Sequence, residues 1–224
     1  NYFQEKAALT SVDGIIVHND IMKNALTIQG VPSDKMVSLE IFDYLIPNFE
    51  EKNVPQKEEA IIIAGNLIPT KSGYLYNLPE QPAYNLYGMG YDESRALKNT
   101  TYFGSFMPDD LPNALQGSFG LVWDGDSSET CKGSFGNYLR INNSHKASLY
   151  LASGFPLVVW KESALAHFVL DKQCGIAIDS LHDLQKALDD LTDQDYMELS
   201  ANARQVGVAI RSGDYLKSAI SKLK

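Results

Sequence analysis

Short apolar segments of strand length alternate along the chain with helix-forming segments, and this alternation constrains the fold more than any other feature. The apolar run that ends at Gly65 suits a strand buried on both faces of a parallel sheet. Strands are predicted at 15–17, 35–40, 60–65, 84–88, 101–104, 120–124, 156–160 and 175–178. Helices are predicted to begin at Asp20, Thr70, Asp109 or Asp110, Ser144, Ser163 and Ser180, with one or two more in 193–223. The pattern predicts an α/β fold with a doubly wound parallel sheet.

A polar stretch with two prolines and mixed charge, residues 47–59, interrupts this pattern and is interpreted as a linker. It divides the chain into residues 1–46, the last units of one Rossmann-like domain, and residues 60–224, a complete second domain. The sequence opens Asn-Tyr-Phe-Gln-Glu-Lys without an initiator methionine, so we interpret the chain as a fragment.

Composition narrows the classes of function. The 19 Lys and Arg against 28 Asp and Glu give a formal charge of −9, which argues against a general nucleic-acid or anionic-membrane surface. No apolar run reaches the roughly 18 residues of a membrane span. Two cysteines, Cys131 and Cys174, make no disulfide framework and fit reduced thiols in a cytoplasmic protein.

Two predicted loops carry cations beside a helix N-terminus. Asn66 and Lys71 follow the 60–65 strand, where backbone N–H groups and an ammonium suit a phosphate. The segment is not a Walker A loop, and Lys71 could equally be a solvated first-turn lysine. His145 and Lys146 follow the predicted N-cap Ser144, where the helix dipole disfavours cations unless an anion binds. A Lys146 that leans into solvent is the alternative.

Two further loops are weaker candidates. Asp124 and Asp126 follow the 120–124 strand and could hold a metal ion, bind a sugar hydroxyl or cap the loop. The loop from Phe103 through Gly104 to Pro108 could recognise the edge of a planar base, unless its phenylalanines belong to the core. In open α/β sheets such loops meet at the carboxyl ends of the strands, where ligands bind.

Several of these segments together resemble bacterial sugar transferases of the GT-B class. They are 64–67 with Lys71 and Ser72, 85–88, 102–104, 120–126, 136–139 and above all 143–154. More narrowly, the chain is similar to the glucosyltransferase that extends O-GlcNAc on streptococcal serine-rich-repeat adhesins and to galactofuranosyltransferases of polysaccharide synthesis. The segments 12–18, 38–45, 202–204 and 210–213 extend the resemblance over nearly the whole chain.

The resemblance implies transfer of a hexosyl group, glucose or galactofuranose, from a UDP-sugar to a sugar hydroxyl on a glycoprotein or a lipid-linked glycan. It implies a donor site without a metal ion or other cofactor, because lysines and a helix dipole stabilise the leaving diphosphate. The implied donor-binding residues are Asn66, Lys71, Gly104, Asp126, Tyr138, Asn142, His145, Lys146 and Ser148. It assigns no catalytic residue, and it suggests a cytoplasmic homo-oligomer.

Two other classes of function remain open at this stage. A non-catalytic, transferase-like subunit that recognises a glycan or a partner transferase would share the same motifs. An NAD-dependent enzyme is disfavoured because the chain contains no Gly-x-Gly-x-x-Gly.

Overall fold

The computed structural model describes the backbone of residues 2–223 and the side chains of residues 7–223. Two parallel sheets lie on either side of segment 47–59, which contains no helix or strand. The first sheet pairs β1 (Ile15–Val17) with β2 (Met36–Ser38). It carries helices α1 (Tyr2–Ser11) and α2 (Asp20–Ile28).

The second sheet has six parallel strands in the order β5-β4-β3-β6-β7-β8. These are β3 (Ile61–Asn66), β4 (Tyr84–Met89), β5 (Thr100–Tyr102), β6 (Gly120–Val122), β7 (Leu157–Trp160) and β8 (Gly175–Ile178). The helices are α3 (Pro69–Ser72), α4 (Leu111–Ala114), α5 (Gly133–Tyr138), α6 (His145–Ala152), α7 (Ala164–Asp171), α8 (Leu184–Asp189), α9 (Asp193–Ser212) and α10 (Asp214–Lys222). The strand order reverses between β3 and β6, as the prediction of a doubly wound parallel sheet requires.

Burial explains why these apolar runs form strands. Ile61, Ile62 and Ile63 are each 0% exposed, and so are Leu157, Val158 and Val159. Consecutive buried residues need apolar cover on both faces of the sheet. Gly120 allows α6 to approach β6, because a Cβ at this position would lie 2.2 Å from the ring of Tyr150.

Local predictions of helix starts were wrong at two positions. Asn19, not Asp20, caps α2, and its Oδ1 accepts a hydrogen bond from the Met22 N–H at 2.9 Å. Thr70 lies inside α3, whose N-cap is Ile68. Helix α5 begins in segment 125–136, for which no helix or strand was predicted, and α1 was not predicted at all. The predicted caps at Ser144 and Ser180 are confirmed, since each side chain accepts a backbone N–H two residues on.

The two sheets are joined around Asn143, which is 2% exposed. Its Nδ2 donates to the Glu40 carbonyl and, at 2.8 Å, to the His18 carbonyl, and its Oδ1 accepts from Asn19 Nδ2 at 2.8 Å. At the other end of the chain, the Asp43 carboxylate accepts the N–H groups of Tyr215 and Leu216 in α10. Both contacts are polar and position the small sheet against the large one.

Candidate donor-binding site

A cavity of about 550 Å³ lies at the carboxyl ends of β3 and β6, where the strand order reverses. Its floor is formed by the end of β3, residues 64–66, and by Asp124, which follows β6. The start of α6 and the residues before it form one wall, and residues of the small unit, 1–46, close the other side. This is the position where open parallel sheets bind their ligands.

Two glycines shape the floor of the cavity. Gly65 and Gly88 are register partners in β3 and β4, with φ of +130° and +142°. A Cβ on Gly88 would lie 1.8 Å from the Gly65 carbonyl oxygen, so only glycine allows this approach. A Cβ on Gly65 would lie 3.5 Å from Cε of Lys146, which shows that the Lys146 side chain passes directly over this backbone.

Lys146 is buried although it carries an ammonium group. Its Nζ donates to the Asp124 carboxylate at 2.7 Å and to the Trp123 carbonyl at 3.0 Å. Each side chain of the Lys146–Asp124 pair is 9% exposed. The alternative in which Lys146 leans into solvent is therefore wrong, because the ion pair compensates the cost of burying the charge.

Lys71 lines the same cavity in a different way. It is half-buried, and its Nζ lies 5.6 Å from the centroid of the Phe135 ring. Within the described residues it forms no ion pair. Its backbone carbonyl accepts the Gly125 N–H at 2.8 Å, which ties α3 to the loop after β6. The cavity thus contains two ammonium groups. That of Lys146 is paired with a carboxylate, whereas that of Lys71 has no carboxylate partner among the described residues.

The N-terminus of α6 lies at the edge of this space. The Ser144 side chain caps the helix by accepting from the Lys146 N–H, and Ser144 itself lines the cavity. The Oδ1 atom of Asn142 is buried and has no hydrogen-bond partner among the described residues. Free helix N–H groups, the positive end of the helix dipole and two lysines together suit a diphosphate.

The small unit contributes aromatic contacts to the opposite side. The ring of Phe42 stacks on His145 with centroids 4.0 Å apart and packs edge-on against His18 at 4.8 Å. His18 Nδ1 accepts the Asn143 N–H at 3.3 Å. Burial, and then the nearby His145, lower the pKa of His18 below its ordinary value of 6.5. The imidazole of His18 is therefore neutral at pH 7.

The structure brings together six of the nine residues predicted to bind the donor. Asn66, Lys71, Tyr138, Asn142, His145 and Lys146 all line the cavity. Gly104, Asp126 and Ser148 do not line it. Their contribution to donor binding stays a prediction.

Each of these three residues has a structural reason for its place. Gly104 follows the edge strand β5, two strands away from β3, and its carbonyl accepts the Gly88 N–H. Asp126 is exposed and packs near Gly73. Ser148 is 0% exposed in α6, and its Oγ has no hydrogen-bond partner among the described residues.

Sequence reasoning assigned no role to several residues that line the cavity, chiefly His18, Phe42 and Phe135, and it left Asp124 outside the predicted donor-binding set. Two of these residues could have been identified from the sequence. His18 and Asp124 both follow the end of a strand, and ligands bind at the carboxyl ends of such strands. Phe42 and Phe135 lie in irregular or glycine-rich sequence that offers no such signal.

Within the described residues no group of three or more His, Cys, Asp or Glu side chains is arranged to hold a metal ion. No helix in that part of the chain combines the length and hydropathy needed to cross a membrane.

Solved structures of other proteins share this fold. Staphylococcus aureus TarM, solved in complex with UDP among other ligands, superposes with a TM-score of 0.61 at 15% identity, over 99% of this chain and 46% of TarM. This likeness confirms the predicted fold, a GT-B-like α/β arrangement.

Curated relatives are similar over nearly the whole chain. Beta-1,6-galactofuranosyltransferase WbbI of Escherichia coli K12 is 35% identical over 98% of this chain and 66% of its own length. Glucosyltransferase 3 of Streptococcus gordonii is 23% identical over 93% of this chain and 60% of its own length. The chain thus spans slightly less than two thirds of either relative.

Family models match on both sides of the linker. Residues 1–41 match the N-terminal domain of glucosyltransferase 3-like proteins. Residues 61–223 match the C-terminal domain of the same proteins. The chain therefore belongs to the glucosyltransferase 3-like family.

Proposed function

We propose that this chain forms the donor-binding part of a hexosyltransferase that uses a UDP-sugar. The observation that carries the proposal is the cavity at the β3–β6 reversal, where Lys71, Lys146 and the N-terminus of α6 converge. This set of groups is complementary to a diphosphate leaving group. The names of the relatives and the UDP bound to TarM support the same class of donor.

The transferred sugar is glucose or galactofuranose, and the acceptor is a sugar hydroxyl on a glycoprotein or a lipid-linked glycan. The two relatives are named for these two sugars, and WbbI is the more similar of the two. Positioning of donor and acceptor, together with neutralisation of the diphosphate charge, supplies most of the rate in this proposal. The lysines and α6 take the place of a metal ion, so we expect transfer to be insensitive to chelators.

A calorimetric titration tests the donor site directly. The chain is titrated with UDP, UDP-glucose, UDP-galactofuranose and NAD. We expect UDP and one UDP-sugar to bind and NAD not to bind. Lys146→Ala removes one of the two ammonium groups of the cavity and should weaken UDP binding by about 100-fold, because a charge-assisted contact in a partly buried site is lost.

A matched control shows whether weaker UDP binding by Lys146→Ala reflects the lost lysine contact or a general disturbance of the fold. Lys172→Ala removes an exposed lysine outside the cavity and should leave the affinity for UDP unchanged. Wild-type affinity for UDP in Lys146→Ala would contradict the proposed site. A sugar-transfer assay on the full-length protein then distinguishes an enzyme from a recognition subunit.

The proposal also includes a homo-oligomeric state and a cytoplasmic location. Light scattering tests the first, and cell fractionation tests the second.

A further inference from the structure

The two lysines of the cavity differ in their electrostatic surroundings. Lys146 is paired with Asp124 at 2.7 Å, and both side chains are buried. Lys71 has no carboxylate partner among the described residues and lies over the Phe135 ring. Among the lysine and aspartate side chains that line the cavity, Lys71 and Lys146 carry positive charge and Asp124 carries negative charge. Asp124 therefore cancels half of the charge that a diphosphate would meet.

The hydrogen bonds of Lys146 leave one donor for a ligand. An ammonium has three N–H groups. The Trp123 carbonyl and the Asp124 carboxylate each accept one of them. A phosphate oxygen that accepts the third N–H would lie close to Asp124, and charges of like sign repel strongly where little water screens them.

We propose that Asp124 competes with the diphosphate of the donor for Lys146, and thereby limits how tightly UDP is retained after sugar transfer. The inference rests on the proposed function and adds a role for a residue outside the set predicted from the sequence. In the empty site Asp124 compensates the buried ammonium, which would be costly to leave unpaired. In the occupied site the same carboxylate raises the free energy of the UDP complex and favours release. Asp124 is thus a charge-balancing residue that acts through Lys146.

Asp124→Asn tests this role with little change in shape. The amide oxygen can still accept the Lys146 hydrogen bond, but the negative charge is gone. We expect UDP to bind roughly ten-fold tighter and to dissociate correspondingly more slowly, because one close repulsion is removed. Uridine, which carries no phosphate, should bind with the same affinity to both proteins. Calorimetry gives the affinities, and stopped-flow displacement gives the dissociation rate.

Asp189→Asn is the matched control, since Asp189 is exposed, does not line the cavity and is not among the predicted donor-binding residues. It should leave the affinity for UDP unchanged. Unchanged or weaker UDP binding by Asp124→Asn would overturn the inference, and so would a parallel change in uridine binding, which indicates a rearranged site. If the unmodified chain binds no UDP, the proposed function itself fails. Normal UDP binding without tightening in the variant overturns the role of Asp124 alone.

If Asp124→Asn does not fold, a second pair of variants tests the inference without leaving the Lys146 ammonium unpaired. Lys146→Gln leaves the Asp124 charge facing the diphosphate, whereas the double variant Lys146→Gln, Asp124→Asn has a neutral pair of similar shape. We expect the double variant to bind UDP more tightly than Lys146→Gln does. Equal or weaker binding by the double variant would contradict competition by Asp124.

Discussion

The six-stranded unit and the two-stranded unit are stabilised in different ways. The large sheet is buried on both faces, and its core extends to Ile210 in α9 and includes Ile41 from the small unit. The small sheet has a separate core of three buried side chains, Val17, Val31 and Met36. The small unit is attached to the large one through Ile41, which lies in the large core, and through polar contacts at Asn143 and Asp43. A large apolar core thus stabilises the large unit, whereas the small unit has few buried apolar residues of its own and depends on its contacts with the large one.

This difference matters for the cavity because its two sides come from the two units. The lysines and α6 belong to the large unit, and His18 and Phe42 belong to the small one. A unit with a core of three buried side chains opens more easily than one with a large continuous core. The following predictions test that contrast, from the largest expected effect to the smallest.

Ile62→Ala should have the largest effect on stability. Ile62 is 0% exposed in β3, between β4 and β6, and its truncation leaves a cavity in the core. We expect the free energy of unfolding of the large unit to fall by about 2–5 kcal/mol. Urea unfolding followed by the fluorescence of Trp123 and Trp160 measures it, since both tryptophans are buried in this unit.

Met36→Ala is the matched change in the small unit. It should loosen residues 1–46 and leave the tryptophan transition nearly unchanged. An equal loss in the tryptophan transition would show that the two units unfold as one, and the contrast drawn above would be wrong.

Asn143→Ala should have an intermediate effect, confined to the junction. It leaves the carbonyls of His18 and Glu40 without their partner. Unpaired buried polar groups typically cost about 1–3 kcal/mol. Hydrogen exchange should become faster in β1 and β2 but not in β3 or β6.

The control is Asn137→Ala, because Asn137 is exposed in α5. It should leave exchange unchanged in both units. Uniformly faster exchange in Asn143→Ala would instead indicate damage to the large core.

His18 should give the smallest effect, visible as a dependence of stability on pH. Its pKa is lowered in the folded chain by burial and then by His145, whereas the unfolded chain keeps the ordinary value of 6.5. As the pH falls below 6.5 the unfolded state takes up the proton first, so the free energy of unfolding decreases toward the lowered pKa. Above 6.5 both states are neutral and this contribution to stability is fully present.

Thermal unfolding between pH 7.5 and pH 5.5 measures the effect. His18→Gln should show a shallower decrease than the unmodified chain, and an NMR titration of the His18 ring gives its pKa directly. Identical pH profiles for the two proteins would show that His18 does not titrate as its burial implies.

Part of this architecture could be predicted from residue patterns. The buried strands at 61–66 and 157–160 are predicted because consecutive apolar residues need a sheet covered on both faces. The start of α6 is predicted because Ser144 is a strong N-cap. Helix α1 was missed because its sequence shows no apolar periodicity, and α5 because it begins in glycine-rich sequence.

The sequence by itself determined the class of fold, the helix beginnings near Lys71 and Lys146, and the cap of α6, because these follow from local periodicity and local hydrogen bonds. Only the tertiary structure decided that Asp124, not Asp126, lies beside Lys146. It alone placed Phe42 against His145 and joined Asn143 to Glu40. Each of these contacts joins residues at least 22 positions apart. Their geometry depends on how strands and helices pack, and no local pattern encodes it.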